Sequence, residues 1–119
     1  MQDFKGLAVW QKSHNLAVSI YKVTVAFPKE EIYGLTSQMR RASVSVAANI
    51  AEGCGRGGNA DFARFVQMAI GSASELEYLL LLSSEIQCLN NPDYEQLSSE
   101  VIEVKKMLTS FKRKLRANV

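Results

Sequence analysis

Residues that interrupt helices are scarce in this chain and are confined to a few short segments. The 119-residue sequence contains two prolines, Pro28 and Pro92, and four of its seven glycines fall between Gly53 and Gly58. A β-sandwich or barrel needs turn residues about every ten positions, so this distribution excludes both. Four long stretches joined by short connections favour antiparallel helix neighbours. We predict an all-α, antiparallel up-down-up-down four-helix bundle that forms a single domain over residues 1–119.

The spacing of apolar residues sets the expected limits of the helices. We expect helices over residues 7–26, 34 or 35–52, 60–89 and 92–116. Gly53 is expected to end the second helix in a left-handed cap. Asn59 or Asp61 is expected to cap the start of the third, and Pro92 suits the first turn of the fourth.

The first helix has more apolar surface than one chain can bury. One stripe consists of Val9, Leu16, Ile20, Val23 and Phe27, and a second of Leu7, Trp10, Ala17, Tyr21 and Val25. A surface helix of a monomer needs a single apolar stripe. The second stripe therefore predicts that copies of the chain associate.

The sequence predicts a cytoplasmic protein that does not enter a membrane. Its longest apolar run, residues 79–82, is far shorter than the roughly 18 residues of a membrane span. The first five residues lack the basic and hydrophobic segments of a signal peptide. Two cysteines, Cys54 and Cys88, form no disulfide framework and fit a reducing compartment.

The sequence offers no set of residues for catalysis or metal binding. Its one histidine, His14, has no obvious partner, and a catalytic site requires several groups in mutual contact. Neither cysteine has a second ligand cluster nearby, and Glu-x-x-His pairs of the di-iron type are absent from the sequence. We predict no enzymatic activity, no cofactor and no metal ion.

Polar residues form a line on the second helix and face two more on the third. Arg41 can pair with Glu52 or Glu75, and Asn49 can fix the register of the helices. The pattern favours a structural polar network, with an active site as the alternative. The predicted network comprises Gln38, Arg41, Asn49, Glu52, Ser72 and Glu75.

Basic residues cluster on one face of the fourth helix, where no acidic residue follows Glu103. The cluster fits a solvated face or a surface that attracts a polyanion, and assembly of several copies strengthens the second interpretation because the net charge of one chain is only +2. The glycine-rich segment is either a flexible connection or, with Arg56, an anion site. The predicted nucleic-acid contacts are Arg40, Arg41, Arg56, Lys105, Lys112, Arg113 and Arg116.

Several sequence blocks resemble those of a bacterial four-helix-bundle family named after 23S rRNA intervening-sequence proteins. The resemblance begins at Leu-Ala-Val-Trp-Gln-Lys (7–12) and includes Ser-Val-Ser-Val-Ala-Ala-Asn-Ile-Ala-Glu-Gly (43–53) and Gly-Ser-Ala-Ser-Glu-Leu (71–76). One departure is Val46, which stands where the family often has proline, and it predicts an unkinked second helix.

The resemblance implies a cytosolic homopentameric ring without catalytic residues. Some members of the family are encoded within insertions in large-subunit rRNA genes, and a related branch comprises accessory proteins of diversity-generating retroelements. Members of that branch contact nucleic acid and a reverse transcriptase. The resemblance therefore implies binding of RNA or DNA, with RNA as the first expectation. The alternative is an adaptor that binds a protein partner such as a reverse transcriptase.

Overall fold

Four helices make up most of the molecule, and the prediction of an all-α four-helix bundle is confirmed. The computed structural model describes residues 3–118. In these residues α1 spans Ala8–Thr24, α2 Leu35–Cys54, α3 Asn59–Glu85 and α4 Asn91–Ala117, with single 3-10 turns at Phe4–Gly6 and Lys29–Glu31. The described residues form no β-strand.

Each helix packs beside the next one along the chain, and α4 closes the bundle against α1. Helices α1 and α3 lie on a diagonal, because among residues 3–118 no Cα atom of one comes within 8 Å of a Cα atom of the other. The molecule measures 45 × 22 × 20 Å. Antiparallel order places the start of α1, the end of α2, the start of α3 and the end of α4 at one end of this long axis.

The core consists of the stripes that the apolar spacing predicts. The side chains with no more than 1% exposure include Leu16, Ile20, Met39, Val46, Ile50, Val66, Leu76, Leu80, Val101, Val104 and Leu108. The second stripe of α1 behaves differently, because Tyr21 and Val25 remain exposed. One bundle thus buries one stripe of α1 and leaves part of the other in solvent.

The expected role of Gly53 as a helix-ending residue is wrong. Helix α2 runs through Gly53 to Cys54 without interruption, and the left-handed glycine of the following loop is Gly57, with φ of +93°. A Cβ atom on Gly53 would lie 2.7 Å from Cβ of Phe65 and 2.8 Å from Cδ1 of Phe62. Gly53 therefore serves close packing of α2 on α3.

The expected limits of α3 need correction at both ends. Its N-cap is Gly58, and neither Asn59 nor Asp61 caps it through a side chain. It ends at Glu85, short of the predicted residue 89, because the backbone turns at Gln87 with φ of +65°. The carbonyl oxygen of Ser83 then accepts hydrogen bonds from the amides of Cys88 and Leu89, a closed ending of the Schellman type.

Helix α3 is long and apolar enough to cross a membrane by length and composition alone, with a mean hydropathy of 1.2 over its most apolar window. It is the only such helix among the described residues. It packs against α2 on one side and α4 on the other. A core helix of a bundle passes the same test, so this property has a packing explanation.

Candidate nucleic-acid interface

Charged residues are divided between the two ends of the bundle. The end that contains the start of α3 and the end of α4, here called the basic end, carries Arg56, Arg64, Lys112, Arg113, Lys114 and Arg116. The opposite end, here called the acidic end, carries Glu30, Glu31, Glu85, Asp93 and Glu95. The basic end also carries Asp3, Glu52 and Asp61, and the acidic end Lys22 and Lys29. The net charge of +2 thus combines an excess of cations at one end of the 45 Å axis with an excess of carboxylates at the other.

A cleft opens at the basic end between the first turns of α3 and the last turn of α4. It has a volume of about 660 Å³ and is lined by Ala60, Ala63, Arg64, Gln67, Met68 and Arg116. At its edge the half-buried Lys112 donates a hydrogen bond to Oε1 of Gln67, which ties α4 to α3. The cleft combines an apolar floor with guanidinium groups, a combination suited to a sugar-phosphate chain.

The cations at the end of α4 have no carboxylate partner among the residues that the structure describes. Among residues 3–118, no carboxylate lies within 4.0 Å of Arg113, Lys114 or Arg116. All three side chains are exposed. Their charge is therefore available to an external anion, and the C-terminal position on the helix suits cations because it is the negative end of the helix dipole.

Arg56 is less available than the sequence suggests. Its guanidinium lies 3.3 Å from a carboxylate oxygen of Glu52 and 3.7 Å from one of Asp61, and it contacts the ring of Phe65 at 4.8 Å. Arg64 has similar contacts, at 2.9 Å from Asp61 and 4.6 Å from the same ring. Both arginines are nonetheless largely exposed, at 46% and 59% of the side chain.

Arg40 and Lys105 lie away from the basic end and serve helix packing. Nε of Arg40 donates a 2.9 Å hydrogen bond to Oγ1 of Thr24, and its guanidinium covers the ring of Tyr21 at 4.8 Å. Nζ of Lys105 donates to Oε1 of Glu77 at 2.8 Å. These contacts join α2 to α1 and α4 to α3, respectively, so the geometry gives both residues a structural role.

The predicted polar network is present in part, between α2 and α3. Oγ of Ser45 and Oγ of Ser72 lie 2.8 Å apart, and Nδ2 of Asn49 donates to the carbonyl oxygen of Ser45 at 2.8 Å. Gln38, Arg41 and Glu75 line a polar cleft beside this contact.

The ion pair expected for Arg41 does not form. Within residues 3–118 no carboxylate lies within 4.0 Å of its guanidinium, and Glu52 pairs with Arg56 instead. Arg41 is exposed near the middle of α2, well away from the cleft at the basic end. Arg41 remains a predicted phosphate contact, and it lies apart from the cations of the basic end.

The single histidine is part of a ring stack. The rings of His14 and Trp10 lie parallel at 4.9 Å, and Phe4 meets Trp10 edge-on. In the part of the chain that the structure describes, no three His, Cys, Asp or Glu side chains are close enough to hold a metal ion.

Arg64 and Lys114 were missed in the choice of nucleic-acid contacts from the sequence. Arg64 is an isolated basic residue on α3, so no run or stripe distinguishes it. The predicted up-down-up-down order could have identified both residues, because it brings the start of α3 beside the end of α4. Basic residues at those two termini must then share one end of the bundle.

The fold and the charge distribution define a class: small four-helix bundles with one basic end. The family model described as 23S rRNA-intervening sequence protein matches residues 5–110. The chain therefore belongs to the 23S rRNA-intervening sequence protein family.

A solved structure supports this assignment. It is the crystal structure of a protein of unknown function from the S23 ribosomal protein family of Bacteroides thetaiotaomicron. The two chains are 30% identical, with a TM-score of 0.79 over 88% of this chain and 98% of the other. No curated protein is significantly similar to this chain.

Proposed function

We propose that this protein is a non-enzymatic, cytoplasmic homo-oligomer that binds nucleic acid, RNA in the first place, through the basic end of the bundle. The observation that carries the proposal is a concentration of cations at the end of α4 that have no carboxylate partner among residues 3–118, beside a cleft that Arg64 and Arg116 line. A pentamer is the expected assembly by resemblance to the family.

Phosphate contacts explain what this surface is able to recognise. Arg113, Lys114 and Arg116 are long, exposed and spread over one helical turn, and Lys112 lies at the edge of the cleft. Arginine and lysine bind phosphate oxygens of any sequence, so binding is expected to be sensitive to salt and weakly dependent on base sequence. Assembly of several copies adds further basic ends and raises the affinity for a long strand.

A pair of charge reversals tests where the nucleic acid binds. Arg116→Glu changes the charge at the basic end by two units, and Lys29→Glu makes the same change at the acidic end. We expect Arg116→Glu to weaken RNA binding by about tenfold or more and Lys29→Glu by less than about twofold, since a phosphate contact is a local interaction. Fluorescence anisotropy with a labelled structured RNA measures both affinities.

The triple variant Lys112→Glu, Arg113→Glu, Arg116→Glu is expected to abolish the mobility shift of the same RNA. An unchanged affinity in this variant contradicts the proposal. Equal losses for Arg116→Glu and Lys29→Glu also contradict it, because they indicate attraction by overall charge without a site.

An adaptor that binds a protein such as a polymerase is the second candidate function. The observation in its favour is the corner between α1 and α2, where Tyr33 is 94% exposed and Ile32 53% exposed. A protein complex that survives high salt and nuclease, and that Tyr33→Ala dissociates, supports this candidate.

A further inference from the structure

The side of the bundle formed by α1 and α2 carries an exposed apolar patch. The guanidinium of Arg40 in α2 covers Tyr21 in α1, so Tyr21 lies at the seam between these helices. Val18 and Val25 stand three and four residues from Tyr21 and therefore share its face of α1. Together with Val44, four residues after Arg40 on α2, they form the α1–α2 face: Val18 (40% exposed), Tyr21 (45%), Val25 (77%) and Val44 (44%).

The side formed by α3 and α4 carries a second patch. The hydrogen bond from Lys105 to Glu77 marks the seam between these helices. Leu81 lies one turn after Glu77, Tyr78 lies three residues before Leu81, and Ile102 lines the same groove as Glu77 and Lys105. The α3–α4 face consists of Tyr78 (59% exposed), Leu81 (41%) and Ile102 (38%).

The two faces lie on opposite sides of the bundle at matching heights. Because α1 and α3 stand on a diagonal, the side shared by α1 and α2 is opposite the side shared by α3 and α4. Residues 18–25 lie near the end of α1 and residues 78–81 near the end of α3, and both ends belong to the acidic end of the molecule. A second copy placed alongside, with a parallel axis, brings one face onto the other.

The charges around the two faces are complementary in the acidic half of the molecule. Toward the basic end the groove of Ile102 is lined by Lys106 and Arg113, so the complementarity is confined to the acidic half. Helices α1 and α2 contain no carboxylate before Glu52, and Lys22 and Arg40 border the α1–α2 face. Glu85, one turn after Leu81, borders the α3–α4 face, and Glu95 lines the same groove as Ile102. A contact between unlike faces pairs these charges, whereas two α1–α2 faces would bring cations together.

We infer that the α1–α2 face of one copy binds the α3–α4 face of the next copy of this chain. The inference rests on the homo-oligomer of the proposed function and identifies the surfaces that build it. A contact between unlike surfaces repeats from copy to copy, and it generates a ring when the rotation closes. The side-by-side arrangement places every basic end on the same rim. The cleft that Arg64 and Arg116 line opens on the α3–α4 side, so it lies beside the neighbouring copy.

Two blocking variants and their mixture test this arrangement. Val25→Glu places a carboxylate on the α1–α2 face, and Tyr78→Lys places a cation on the α3–α4 face. Each variant alone is expected to lose the wild-type assembly and to run as a monomer in size-exclusion chromatography with light scattering. An equal mixture is expected to associate again, to at least a heterodimer of twice the 13.2 kDa chain mass, because each variant keeps the face that the other lacks.

Asn15→Glu is the matched control for Val25→Glu. It adds the same charge to an exposed position of α1. Asn15 lies three residues after Lys12, whose Nζ pairs with Glu103 of α4 at 3.0 Å. Asn15 is therefore on the side of α1 that faces away from the α1–α2 face. This variant is expected to assemble as the wild type does. Val18→Glu replaces Val25→Glu if circular dichroism shows that the latter is unfolded.

Four results overturn the inference: a monomeric wild-type chain, a Val25→Glu chain that stays assembled, a Tyr78→Lys chain that stays assembled, or monomeric variants whose mixture forms no heterodimer. RNA affinity of the wild type, measured on the same samples, separates the two proposals. An assembly that follows the expected pattern without binding RNA contradicts nucleic-acid binding alone.

Discussion

Gly53 determines how closely α2 and α3 approach each other. Its missing side chain leaves room for the rings of Phe62 and Phe65, both of which are buried. Phe62 also meets Phe111 of α4 edge-on, with ring centroids 5.2 Å apart. One glycine thus permits the contact on which three helices converge at the basic end.

Replacing Gly53 with alanine is expected to destabilise the protein. The added Cβ atom collides with Phe62 and Phe65, and overpacking of this kind costs about 1–3 kcal/mol. Gly71→Ala is the control, because a Cβ atom there meets nothing within 4 Å. That helix-interior substitution is expected to stabilise the chain by about 0.5–1 kcal/mol. Urea unfolding measures both values, and an undisturbed Gly53→Ala variant would contradict the packing role.

Cys54 is expected to react slowly in the folded protein. Burial, with a smaller contribution from the Asp3 carboxylate, raises the pKa of its thiol above the ordinary value of 9.0. The thiolate is the reactive form, so in a Cys88→Ser background the folded chain should react with a disulfide reagent at pH 8 much more slowly than the chain in urea. Equal rates in the two states would contradict this expectation.

The same raised pKa bears on stability in alkali. The folded state holds the thiol proton more tightly than the unfolded state does, so the free energy of unfolding should decrease as the pH rises through the ordinary thiol value. A Cys54→Ser chain lacks this component. Urea unfolding of both chains from pH 8 to pH 10 gives the difference in their free energies of unfolding, and this difference isolates the contribution of the thiol.

Helix α4 has favourable groups at both of its ends. Oδ1 of Asn90 accepts a 2.8 Å hydrogen bond from the amide of Asp93, and proline occupies the first turn. Lys114 and Arg116 lie in the last turn, at the negative end of the helix dipole. The basic residues proposed to bind RNA therefore stabilise the helix that presents them.

Removal of the cap at Asn90 is expected to lower stability without affecting RNA binding. Asn90→Ala should reduce the free energy of unfolding by about 1 kcal/mol, and Asn90→Ser should retain most of it because serine is also a good N-cap. Thermal unfolding followed by circular dichroism measures the change. A fall in RNA affinity for Asn90→Ala would argue against a binding site confined to the basic end.

The helices and their buried stripes were predictable because periodicity is a local property of the sequence. The end of α3 was not, since the backbone turn at Gln87 depends on hydrogen bonds to the Ser83 carbonyl. The role of Gly53 depends on residues of another helix. The structural role of Arg40 could not be predicted, because folding alone brings it next to Thr24 and Tyr21. The sequence therefore indicated a phosphate contact.

At the scale of the whole molecule, charge polarity predicts a salt-dependent association with RNA. The logarithm of the association constant should fall linearly with the logarithm of salt concentration, with a slope of about −0.7 for each phosphate contacted on a single strand. Arg116→Glu is expected to make this slope shallower by about one unit, and Lys29→Glu to leave it unchanged. Titrations between about 50 and 200 mM salt provide the slopes, and an affinity independent of salt would contradict a phosphate-binding surface.

The antiparallel order of the helices also decides how the protein can be handled. Asp3 precedes the start of α1 and Asn118 follows the end of α4, so both extremities of the described chain emerge beside the cations. A purification tag at either extremity would screen the surface under test, and a polyhistidine tag would add its own charge to it. A label attached in the loop around Asn90 lies at the acidic end. The fluorophore is then about a bundle length away from RNA bound at the basic end.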